Sequence, residues 1–136
     1  MSDLSITAAN VLAGAGAKKV HGTAGATITA GKIVYLDSKT DTYKLADCDS
    51  ATAEARSPAG IALHGASSGQ PLTILEDGPI TIGATLTPAT AYYLSMTAGG
   101  ICPLADLTTG AYPVLVGIAT SASVLEVTIL ESGVAI

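Results

Sequence analysis

The chain has 136 residues, enough for one compact domain and too few for two ordinary ones. Hydrophobic residues make up 49%, yet aromatics supply only 4%, Trp and Phe are absent, and charged residues reach 12%, about half the usual share of roughly 25%; a chain this apolar is not intrinsically disordered. The net charge of -5 argues against nucleic-acid binding, which needs clustered Lys and Arg, and the scarcity of His, Cys and acids argues against an enzyme.

The start, Met1-Ser2-Asp3-Leu4, lacks the basic and continuous apolar regions of a signal peptide, so synthesis and use in a cytoplasm are expected. Ser5-Ile6-Thr7-Ala8-Ala9-Asn10-Val11-Leu12 fits one strand, and Ala13-Gly14-Ala15-Gly16-Ala17 is too small and flexible to hold a shape by itself. Residues 1–22 therefore read as an N-terminal arm that becomes ordered against a neighbour, or as an edge strand of the chain's own barrel. Partner contacts are expected at Ile6, Val11, Leu12, Lys18 and Lys19; the two lysines form a solvated patch or pair with acids of a neighbouring subunit.

Residues 27–36, rich in Thr, Ile, Val and Tyr, read as strand broken at Gly31. Asp37-Ser38-Lys39-Thr40-Asp41 is a polar turn, and Tyr43-Lys44-Leu45-Ala46 returns as a hairpin arm. Residues 49–58 form a looser Ala-rich loop with room for a helical turn, and residues 60–64 a short buried strand. Gly69-Gln70-Pro71 turns into Leu72-Thr73-Ile74-Leu75-Glu76, and Asp77-Gly78 reads as a second turn into Ile80-Thr81-Ile82. Strands at residues 92–96, 101–104, 114–120 and 124–130 follow.

These segments are duplicated. Ala26-Thr27-Ile28-Thr29 recurs as Ala84-Thr85-Leu86-Thr87 (offset 58), and Leu45-Ala46-Asp47 as Leu104-Ala105-Asp106 (offset 59). Gly60-Ile61-Ala62 recurs as Gly117-Ile118-Ala119 (offset 57), and Thr73-Ile74-Leu75-Glu76 as Thr128-Ile129-Leu130-Glu131 (offset 55). Four collinear matches define pseudo-repeats at about 26–80 and 84–135, too few for an open solenoid. No segment keeps a 3.6-residue apolar period over a helix length. The expected fold is all-β: a small β-barrel or sandwich built from two pseudo-repeats, with residues 23–136 as a single domain behind the arm.

No charge lies between Asp77 and Asp106, nor between Asp106 and Glu126. A membrane span is nevertheless excluded by Pro79, Gly83, Pro88, Gly99, Gly100 and Pro103, and then by Gly110, Pro113 and Gly117. All six basic residues precede residue 57, and after Asp77 only Asp106, Glu126 and Glu131 are charged. So neutral a second half suggests a surface covered by other chains, or one coated with uncharged Thr and Ser. Cys48 and Cys102 read as two small semi-buried thiols, the alternative being a disulfide in an exported particle.

Motifs that carry chemistry mostly fail. Gly65-Ala66-Ser67-Ser68-Gly69 matches G-x-S-x-G, but Gln70-Pro71 leads into a strand instead of a helix, and both histidines, His21 and His64, precede the serine. Gly14-Ala15-Gly16-Ala17-Lys18-Lys19 is neither a dinucleotide fingerprint nor a P-loop. Asp37, Asp41, Asp47 and Asp49 cluster around one hairpin without calcium-loop spacing, and Asp favours turns for its own reasons. No metal or cofactor is expected. Tyr35 and Tyr93 occupy equivalent repeat positions and read as core rings with the hydroxyl at the rim.

The run Ile28-Thr29-Ala30-Gly31-Lys32-Ile33-Val34-Tyr35-Leu36, then Tyr43-Lys44-Leu45-Ala46-Asp47, Ala59-Gly60-Ile61-Ala62, Gly69-Gln70-Pro71-Leu72 and Glu76-Asp77-Gly78 resembles small β-rich virion proteins of tailed bacteriophages, in particular capsid decoration, or cement, proteins. Tyr92-Tyr93-Leu94-Ser95 through Gly99-Gly100-Ile101, then Val116-Gly117-Ile118-Ala119, follows the same grammar, which also occurs in phage tail-fibre modules. The resemblance covers about residues 20–133 and brings no catalytic residues. It implies a protein made in the host cytoplasm that binds the major capsid protein on the outside of an assembled shell, often as a homotrimer at symmetry axes. The alternative it leaves is a tail- or head-fibre module that recognises a host surface.

Overall fold

A computed structural model describes residues 3–135. The strands are β1 (Leu12–Ala13), β2 (Lys18–Thr23), β3 (Ile33–Asp37), β4 (Thr42–Leu45), β5 (Gly60–Ala62), β6 (Pro71–Thr81), β7 (Ala91–Leu94), β8 (Ile101–Pro103), β9 (Val114–Ala119) and β10 (Val124–Glu131). Short 3-10 turns at Ala8–Asn10, Ala53–Arg56 and Leu104–Asp106 interrupt them. The protein is all-β, and its strands form one curled antiparallel sheet in the order β4-β3-β5-β6-β10-β9-β7-β8, with β1 and β2 added on β6.

That order is a palindrome, and it carries the sequence duplication into space. β4-β3-β5-β6 and β8-β7-β9-β10 are the same arrangement used twice. The agreement extends to single hydrogen bonds. Gly31 N–H donates to Ala62 O at 2.9 Å and Ala62 N–H to Lys32 O at 2.8 Å. Fifty-eight residues on from Gly31, Ala89 N–H donates to Ala119 O at 2.8 Å and Ala119 N–H to Thr90 O at 2.9 Å.

Where the sequence suggests a turn at Asp77-Gly78, β6 runs straight on for 11 residues. Gly78 takes φ +104, a conformation that L side chains rarely adopt, and the β2 register slips opposite Glu76, between Lys18 and Lys19. The strand is thus redirected without being reversed. Its first part closes the first repeat and its second part opens the next. β2 and then β1 pair along one edge, while β5 and then β10 pair along the other.

Residues 18–22, assigned to the arm by sequence, belong to β2, which pairs with β6 from Lys18↔Asp77 to Thr23↔Pro71. At its end, Ala24 bridges Tyr43 and Gly25 N–H donates to Tyr43 O at 2.7 Å, joining β2 to β4. The five strands of the first half therefore wrap round on themselves.

Two apolar cores result. Ala24, Ile28, Val34, Tyr43, Ala62, Leu72 and Ile74 fill the first half. A larger core draws on Ile33, Tyr35, Ile61 and Leu75 from the opposite face of the same strands, and on Ile80, Tyr92, Leu94, Val116, Leu125 and Val127. β3, β5 and the start of β6 are a partition with apolar side chains on both faces, which is why residues 60–62 are buried without alternation.

Candidate interaction surface

The residues that the sequence singled out lie along one line of the molecule. β1 extends the β2 edge of β6 through Leu12↔Thr81 and Ala13↔Ile80, and Gly14 N–H donates to Pro79 O at 2.8 Å. Upstream, Thr7 N–H donates to Gly83 O and Leu4 N–H to Ile101 O, both at 2.8 Å. The Ser95 hydroxyl donates to the Asp3 carboxylate at 2.6 Å. Residues 3–13 therefore lie in a seam between the end of β6 and β8, against their own chain.

Ile6 and Val11 are half-buried and pack on the larger core. Leu12 is 69% exposed. Lys18 is exposed and 3.6 Å from Glu76, and Lys19 is exposed. The seam is shaped for the arm: a Cβ at Gly83 would stand 2.5 Å from Thr7 O, and one at Gly100 would stand 2.6 Å from the Asp3 carboxylate. Sequence reading missed Asp3, Thr7 and Gly83. The available signal was Gly83 itself, the repeat counterpart of Gly25, which makes the closing contact of the first half.

Two grooves flank this line. One, of about 760 Å³, is lined by Thr7, Val11, Leu12, Thr81, Thr85 and Ser123 among others, and no charged side chain borders it. The other, of about 520 Å³, holds Lys18, Tyr43, Glu76, Asp77, Ile129 and Glu131 between β2, β6 and the end of β10. Leu104, Ile118, Leu130 and Val134 are further apolar side chains left in solvent, all in the second half.

The polar groups elsewhere hold loops. Asp37 accepts from Lys44 Nζ at 2.7 Å and from Lys39 N–H at 3.0 Å, and the lysine bond holds its carboxyl below the usual range. Asp47 accepts from Asp49 N–H at 3.3 Å; burial, then the Asp49 carboxyl beside it, push Asp47 up to about 6. In the G-x-S-x-G loop, Ser67 N–H donates to Gln70 Oε1 at 2.8 Å and Gln70 N–H returns to Ser67 O at 3.0 Å. His64 faces away from that serine: Nε2 accepts from Thr73 N–H at 3.0 Å, so Nδ1 carries the proton toward Gly65 O at 2.9 Å. His21 Nδ1 bonds Thr73 Oγ1 at 2.9 Å. Tyr35 is buried as a core ring, while its counterpart Tyr93 is half-buried at the margin of the larger core.

Both thiols are buried and free. Burial raises Cys48 to about 12, and burial together with Asp3 and Asp106 raises Cys102 to about 11. Ligand atoms of Asp3, Cys102 and Asp106 lie within 4.8 Å of one another, and Asp3 already accepts the Ser95 hydroxyl. Among the described residues, no helix is long and apolar enough to cross a membrane. No protein-family model matches the chain, and no curated protein is similar to it.

Proposed function

We propose that this chain is a non-enzymatic structural protein of a tailed-phage virion. It binds the major capsid protein on the outer surface of the head, as homotrimers, and stabilises the shell. The observation that carries this reading is the surface of the second half. Only three charged residues follow Asp77, while Leu104, Ile118, Leu130 and Val134 stay exposed in that half.

Such a skin meets another protein with little desolvation of ions. On a lattice, modest contacts of this kind multiply into firm attachment. The resemblance in residues 20–133 supports the same role, and the acidic charge disfavours a nucleic-acid partner.

Antibody labelling of purified particles tests it. Label spread over the whole head is the expected result. Label confined to a tail tip assigns the chain to a host-recognition fibre instead, and particles without label overturn the virion reading altogether.

A further inference from the structure

We propose that the seam between β6 and β8 is a strand-acceptor site, and that residues 3–13 of a second copy of this chain occupy it, so that copies join by exchanging arms. The inference deepens the self-association part of the reading above and rests on it only there.

The site and its occupant are both visible. The arm enters the seam through backbone bonds from Leu4 to Ile101 and from Thr7 to Gly83, and through its side-chain bond from Ser95 to Asp3. Gly83 and Gly100 leave no space for a side chain where the arm passes. These contacts are identical whether the arm comes from the same chain or from another, so exchange sacrifices none of them.

The tether permits it. Ala13 pairs with Ile80 and Lys18 with Asp77, so residues 14–17 carry two more residues than the β6 stretch they pass. The tether rests on β6 at its two ends, Gly14 on Pro79 and Ala17 on Gly78, and is free at Gly16, where an added Cβ would have no neighbour within 4 Å. Four tether residues reach about 14 Å. An exchanged arm therefore brings the body of its own chain close against the uncharged groove lined by Val11, Leu12, Thr81, Thr85 and Ser123. That contact covers Leu12, the most exposed large apolar side chain among the described residues.

The test uses the full-length chain with Cys48→Ala and Cys102→Ser as background, because Asp3 lies beside the Cys102 thiol and Cys48 N–H donates to Ser95 O. Chains carrying Asp3→Cys are mixed in equal amounts with chains carrying Ser95→Cys, refolded together, oxidised and separated without reductant. Exchange predicts a covalent heterodimer of twice the 13.4 kDa chain mass, lost when Gly83→Ala is added to both. A mixture that yields monomers alone overturns the proposal, and most directly so if a chain carrying both cysteines closes internally. Light scattering on the unsubstituted chain is the second readout. Mass rising to at least twice that of one chain with concentration supports exchange, and a single-chain mass at every concentration overturns it. Capsid labelling is measured separately, so failure of exchange leaves the virion reading standing.

Discussion

In the first half, Ala24 and Gly25 reach Tyr43 directly and the wall closes with the repeat's own strands. In the second half, residues 4–7 stand between Gly83 and Ile101, and a borrowed segment fills the gap. Two copies of one β unit thus close in different ways. The difference follows from β6: as the last strand of one repeat and the first of the next, it leaves the end of β10 paired on β9 alone beyond Val127. Duplication supplies equivalent strands but not equivalent neighbours.

The largest effect is expected where both halves share a wall. Leu75 is fully buried on the partition, and Leu75→Ala should cost about 3 kcal/mol in denaturant melts while unfolding stays one transition. Two separate transitions would show that the halves are independent.

Breaking only the second closure should cost less. Ile6→Ala with Val11→Ala is expected to lower stability by about 2 kcal/mol, because both side chains are half-buried. Hydrogen exchange should quicken at the Leu4 and Thr7 amides and stay slow at Gly25. Equal quickening at Gly25 would refute separate closures.

A smaller effect is expected at Asp47, in the exit from β4. Its carboxyl titrates near 6 when folded and about 3.9 when unfolded, so the native state holds the extra proton between these values. Stability then falls as pH rises from about 4 to 6 and is flat above. Asp47→Asn should remove that slope and gain about 1 kcal/mol at pH 7, after allowance for partial exposure. An unchanged slope in pH-dependent melts would contradict the assignment.

Lys44→Met should lower the melting temperature slightly at neutral pH. Asp37 is held low by that lysine, so its contribution is present above the unfolded carboxylate value and lost as pH falls through the folded one. The difference between variant and parent should therefore vanish in acid. Least of all should change on adding iodoacetamide: Cys48 and Cys102 are expected to stay unlabelled in the folded chain and to react once denaturant is added.

Much of this architecture was legible. Two of the four matches fall on equivalent strands, Gly60-Ile61-Ala62 and Gly117-Ile118-Ala119 on β5 and β9, and residues 73–76 and 128–131 on β6 and β10, whereas residues 26–29 and 84–87 lie in the connections and Leu104–Asp106 in a 3-10 turn. β2 escaped because Lys18-Lys19-Val20-His21-Gly22-Thr23 has no apolar alternation; it is held by its ladder with β6, not by side-chain burial. Extending the offset of 58 backwards, so that Thr23 and Gly25 meet Thr81 and Gly83, is the signal that finds it. The Asp77-Gly78 pair misled because a glycine at positive φ serves a bend within a strand as well as a hairpin. The arm's own seat was illegible, since it depends on a gap that appears only when both repeats are assembled.

β6 has a mechanical corollary. Its first part is laddered to β2 and β5 and its second part to β1 and β10, so each half grips the shared strand from both edges and the two sets of ladders meet at Gly78. A pull that separates the halves along that strand is resisted as in-plane shear by many bonds at once, instead of being unzipped one rung at a time.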